Sequence, residues 1–172
     1  MLLLLPLLAG ACGAQGGLNQ ADGPKPANGA EPAAGGGAPP PVVQTTTLTG
    51  LYEGGTGQPR SQLCVVERAG GEGRFGMVVH GAGGQSCAGS GAAVRQGPAV
   101  RLSMQGDEAC TVTAQLQGTR LVLPAQLPAG CNYYCSRGAT LAGAAFDKTG
   151  GTAEDAMRAT DLVGDRLCAG TG

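Results

Sequence analysis

The chain has 172 residues, 33 of them glycine, no tryptophan and a formal net charge of -1. That length fits one domain with some chain to spare. The near-neutral charge lacks the electrostatic footprint of a nucleic-acid binder or of a polybasic membrane patch. With Tyr52, Phe75, Tyr133, Tyr134 and Phe146 as the only aromatics, any core rests on Val, Leu, Met and Ala, and a core of that kind needs other support.

The first segment, residues 1–11, is an apolar run about half the length needed to span a bilayer as a helix. It ends in small residues, as the apolar region of an export signal does. The run Leu8-Ala9-Gly10-Ala11-Cys12 resembles the lipobox of bacterial lipoprotein precursors. The resemblance covers about the first dozen residues. It implies cleavage before Cys12, a diacylglyceryl group on the Cys12 thiol and acylation of the new amine. Two or more acyl chains make a stable membrane anchor. Gly13, where inner-membrane lipoproteins often carry Asp, implies the outer membrane.

Residues 12–44 hold the lipidated cysteine and a tether of Gly, Ala, Pro, Asn and Gln. Stretches such as Ala33-Ala34-Gly35-Gly36-Gly37 and Pro39-Pro40-Pro41 bury too little surface to offset the entropy of ordering, so the tether is predicted to be disordered. Its simplest task is to hold the domain off the headgroups. Peptidoglycan or an envelope protein is an alternative contact for it.

Residues 45–172 read as the folded domain. Short alternating segments separated by Gly-rich turns predict strands at 47–52, 62–68, 74–80, 87–95, 100–105, 110–117, 120–125 and 139–148. Phe75, Met77 and Val79 share one face of the third. Val100, Leu102 and Met104 alternate with Arg101, Ser103 and Gln105. Seven or eight such strands predict a mainly β domain, a small antiparallel barrel or a sandwich. Residues 152–163 switch to helical spacing, with Thr152 as N-cap and Glu154 and Asp155 in the first turn.

Setting Cys12 aside leaves six cysteines, Cys64, Cys87, Cys110, Cys131, Cys135 and Cys168. An even count in an exported chain predicts a disulfide framework. Cys110 and Cys131 fall near the open end of one hairpin. Pairing them leaves Cys135–Cys168, stapling the C-terminal helix, and Cys64–Cys87.

The search for chemistry finds recognition groups rather than a catalytic set. His80, the single histidine, falls on the outer face of a strand and is expected to be solvated. Cys131-Asn132-Tyr133-Tyr134-Cys135 lacks Cys-x-x-Cys spacing and reads as two structural cysteines, not a metal or redox pair. Between them, Tyr133 and Tyr134 would point opposite ways on a strand: either one is core and the other covers a barrel end, or one is exposed as a rigid contact anchor. Asp107 and Glu108 sit in a turn, and Asp147, Asp155, Asp161 and Asp165 are scattered. Ser90-Gly91-Ala92 is similar to a Ser-Gly-Ala stretch of membrane-anchored inhibitors of C-type lysozyme, which are also small β-barrel lipoproteins. Only three residues carry that likeness, and Ala93 and Val94 stand where the inhibitors have an aromatic.

The expectation is a non-enzymatic envelope lipoprotein, without cofactor or metal, whose β domain binds or inhibits an envelope component. The alternative is a structural or assembly lipoprotein of the outer membrane.

Overall fold

The computed structural model describes residues 47–106 and 108–169. The predicted signal segment, Cys12, the predicted tether and Asp107 lie outside the described residues. Eight strands run β1 Gly50–Gly54, β2 Ser61–Glu67, β3 Glu72–His80, β4 Ser86–Gln96, β5 Ala99–Met104, β6 Thr111–Gln117, β7 Arg120–Val122 and β8 Ala145–Gly150. Each pairs antiparallel with the next, and β8 returns to β1, closing a barrel.

Alternation along the strands decides what fills it. Leu63 and Val65 of β2, Phe75 and Met77 of β3, Val100 and Leu102 of β5, Val112 and Ala114 of β6, and Tyr52 and Phe146 point inward and are almost fully buried. Closure brings β1 and β8 unusually close. A Cβ on Gly50 would stand 2.1 Å from the Gly150 carbonyl oxygen, and one on Gly54 2.2 Å from that of Ala145. Only glycine fits either end of this seam.

One barrel end is covered by the strap Thr47–Thr49, which takes the place of the start predicted for β1. Leu48 is buried in the core. Glu67 accepts hydrogen bonds from the Thr47 hydroxyl and, at 2.7 Å, from the Leu48 amide. Tyr52 Oη donates to the Leu48 carbonyl at 2.7 Å, and Lys148 Nζ to that of Thr47 at 2.6 Å.

A 3-10 turn, Ala129–Tyr134, and the buried Leu141 cover the opposite end. A tyrosine over a barrel end was among the expectations; the 3-10 turn that carries it, and Leu141, were not. β7 stops at Val122, short of the expected 125, because Pro124 has no amide to donate. The eighth strand starts at Ala145 instead of 139. Before it the chain turns back, with Gly143 N–H bonded to Pro124 O at 3.0 Å and Ala144 N–H to Leu141 O at 3.1 Å.

The predicted C-terminal helix shrinks to one turn, α1 Ala153–Ala156. Thr152 caps it as expected: its hydroxyl accepts the Asp155 amide, while the Asp155 carboxylate accepts the Thr152 amide, both at 3.0 Å. Beyond it the chain folds back on itself, Thr160 bridging to Arg166 and donating its amide to Gln62 Oε1 at 2.9 Å. This tail forms a second apolar cluster on the outside of the barrel, where Ala156, Ala159 and Cys168 pack on Leu51 and Cys64.

The disulfides are Cys64–Cys168, Cys87–Cys135 and Cys110–Cys131. The last matches expectation; the other two replace the expected Cys64–Cys87 and Cys135–Cys168. The barrel wall is the reason. Cys64 lies between the inward Leu63 and Val65, so it faces outward to the tail. Cys87 opposes the inner-face Val79 and belongs to the interior cluster. A bridge between them would have to pass through the sheet.

Candidate functional site

The turn Ala129–Tyr134 is the most constrained exposed feature among the described residues. Cys131 is buried and bound to Cys110, and Cys135, just after the turn, to Cys87. Backbone bonds from Cys131 N–H to Pro128 O (3.0 Å) and from Cys135 N–H to Asn132 O (3.1 Å) close it. The two tyrosines sit on this turn and not on a strand, but they divide as the alternation suggested. Tyr134 is half-buried and donates its hydroxyl to the Glu108 carbonyl at 2.8 Å. Its ring lies where a Cβ on Gly89 would come within 3.3 Å, so the small residue in β4 makes its seat. Tyr133 is 61% exposed, edge-on to Tyr134 with centroids 5.4 Å apart. A large exposed ring on a backbone held between two covalent staples costs little further backbone ordering on contact, which suits a binding anchor.

His80 ends β3 half-buried, with its amide bonded to Ser61 Oγ at 3.0 Å; it is less solvated than expected. Glu53, Arg60, Arg120 and Asp147 line the groove beside it. Among the described residues no group of three or more His, Cys, Asp or Glu could hold a metal ion. Asp147, Asp155 and Asp161 are structurally engaged. Arg120 Nη1 donates to both carboxylate oxygens of Asp147, at 3.0 and 2.7 Å. Asp155 completes the α1 cap, and Asp161 Oδ1 accepts the amides of Val163 and Asp165. The Thr152 bonds foremost, with a smaller contribution from Arg158, hold the Asp155 carboxyl below its usual range.

Titration is perturbed most at the strap. Burial first, then the Glu67 charge, pushes Tyr52 up to about 12, with Arg95 opposing. Burial first, with Arg95 adding to it and Glu67 opposing, lowers Lys148, whose ammonium lies 5.6 Å from the Tyr52 ring centroid. These groups grip Thr47 and Leu48, so their work is structural.

Sequence reading missed one feature, a trough of about 660 Å³ on the outer face of β3–β5, where Arg68, Arg74 and Arg101 converge. Alternation alone turns Arg74 and Arg101 outward, but only the register across β4 brings them together. Ser90 and Ala92 are exposed on the same strand, with Gly91 buried between them. No family model, curated protein or solved structure matches this chain.

Proposed function

We propose that the chain is a non-enzymatic cell-envelope lipoprotein, lipidated at Cys12 and placed at the outer membrane. In this reading its barrel binds or inhibits an envelope component. The observation that carries the reading is the doubly stapled turn presenting Tyr133. The barrel interior supports it: Tyr52, Phe75, Met77 and Phe146 fill the space that a lumenal ligand would need. Recognition therefore falls to the outer surface and the loops. The anchor rests on the sequence Leu8–Cys12, and the tether on the composition of residues 12–44.

Affinity capture from native envelopes with the tagged full chain tests this reading. One soluble envelope protein should be recovered in stoichiometric amount and lost with Tyr133→Ala. Recovery of an outer-membrane assembly that Tyr133→Ala leaves intact would favour a structural or assembly role instead.

A further inference from the structure

The trough on β3–β5 has a defined layout. Arg74, Ala92 and Ser103 form one cross-strand row, and Glu72, Val94 and Arg101 the next. Arg74 and Arg101 thus stand at diagonal corners, two strands and two residues apart, roughly 12 Å by strand spacing and rise. Ala92 and Val94 make a low floor between them. Arg74 Nη2 is bonded to Gln105 Oε1 at 3.2 Å, which steadies that guanidinium. Arg68 comes from the β2–β3 turn, fixed by its own amide bond to Glu72 O at 2.7 Å. Among the described lining residues Glu72 is the single carboxylate beside Arg74 and Arg101. The chain as a whole carries -1, so the positive charge here is local.

Guanidinium forks match carboxylates two bonds at a time. An extended peptide carries its same-side groups about 6.8 Å apart, and every second one about 13.5 Å apart. Flexible arginine side chains bridge the difference between those spacings and the corner distance. A low floor lets a peptide backbone come close, and the Ser103 and Gln105 side chains offer it polar partners. We infer that this trough binds an extended acidic peptide segment of the partner, with alternate carboxylates taken by Arg74 and Arg101 and the backbone lying over Ala92. The surface continues toward the Tyr133 turn: Met104 and Gln105 line the trough, and the Tyr134 hydroxyl would stand 2.7 Å from a Cβ on the adjoining Gly106.

The inference names the partner's chemistry and so rests on the binding reading, but its assay needs no partner. A fluorescein-labelled alternating Glu-Ser peptide is titrated against the full chain by anisotropy at low salt, beside its Gln-Ser counterpart. The Glu-Ser peptide should bind, and the Gln-Ser peptide should not. Arg101→Glu should weaken binding about tenfold, the loss of one charge-assisted contact. Arg101→Gln should weaken it less, and Arg166→Glu, outside the trough, by under about twofold. Equal melting temperatures show that the variants are folded. The inference is overturned by no binding, by equal losses from Arg101→Glu and Arg166→Glu, or by an oligouronate that binds more tightly with the same Arg101 dependence. If the peptide binds in the trough while Tyr133→Ala leaves partner capture unchanged, the trough stands and the anchor reading falls.

Discussion

Breaking Cys64–Cys168 by the double substitution Cys64→Ala/Cys168→Ala tests how the tail is held. The bridge spans 104 residues, and a loop of that size, closed alone, restricts the unfolded chain by about 4.7 kcal/mol. Cys87–Cys135 shortens the covalent path between the same points, which lowers the expected loss to about 4 kcal/mol. Both sulfurs are fully buried against Leu51, Ala156 and Ala159, so emptying their space adds about 1 kcal/mol. Alanine is chosen because it leaves no polar group in the buried space of either sulfur. With a urea slope of about 2 kcal/mol/M, the unfolding midpoint followed by far-ultraviolet circular dichroism should fall by about 2–3 M. The bridge Cys110–Cys131 spans only 21 residues, and its removal should cost about 3 kcal/mol. The two variants should also differ in kind. Without Cys64–Cys168 the tail is left with the packing of Ala156, Ala159, Met157 and Leu167 and the Thr160–Gln62 bond, and trypsin should cut after the exposed Arg158 and Arg166. Without Cys110–Cys131 those sites should stay protected. A midpoint shift below about 0.5 M with the tail still protected would refute the reasoning, because apolar packing alone would then hold it.

Gly76→Val tests the same contact from the barrel side. A Cβ there would stand 2.7 Å from Leu167 O, so although valine suits a strand, the tail must shift, at a cost of about 1–3 kcal/mol in urea unfolding. Tyr52 sets an alkaline limit. Its folded pKa, about 12, lies above the unfolded value of 10.0. Its contribution is therefore fully present below pH 10 and lost as pH rises toward 12, roughly 2–3 kcal/mol in all. Tyr52→Phe should flatten that part of the stability–pH curve and cost about 1 kcal/mol at pH 8, where the Leu48 carbonyl loses its donor. Intact mass of the mature protein from membranes should show a lipid-modified Cys12 at the N-terminus and no free thiol among the other six cysteines.

Much of the barrel was legible because its strands alternate cleanly. Val100–Met104 and Val112–Leu116 place every second side chain inward, and glycine-rich turns separate the strands. The tail was less legible because helical spacing at 152–163 is carried by Ala153, Ala156, Met157 and Thr160, mostly small side chains. These bury too little to sustain a helix, and the bridge from Thr160 to Arg166 folds the chain back first. The outward direction of Cys64 was already implicit in Leu63 and Val65. What alternation could not show was which segment would lie outside the wall to meet it. Nor could it show that a 3-10 turn would carry Cys135 to the edge of β4. Of the proposed recognition surface, Tyr133 was visible from its place between two cysteines. The arginine trough was not, since Arg68, Arg74 and Arg101 come from separate elements and meet only through the register of β3, β4 and β5.

The most direct measurement is site-specific photo-cross-linking in the native envelope, with a benzophenone amino acid in place of Tyr133 and, as a control, of Thr119 in the β6–β7 turn. A rigid anchor predicts one discrete adduct from position 133 that is absent from position 119. No adduct at 133, or the same set of adducts at both positions, would contradict the assignment of the stapled turn as the contact surface.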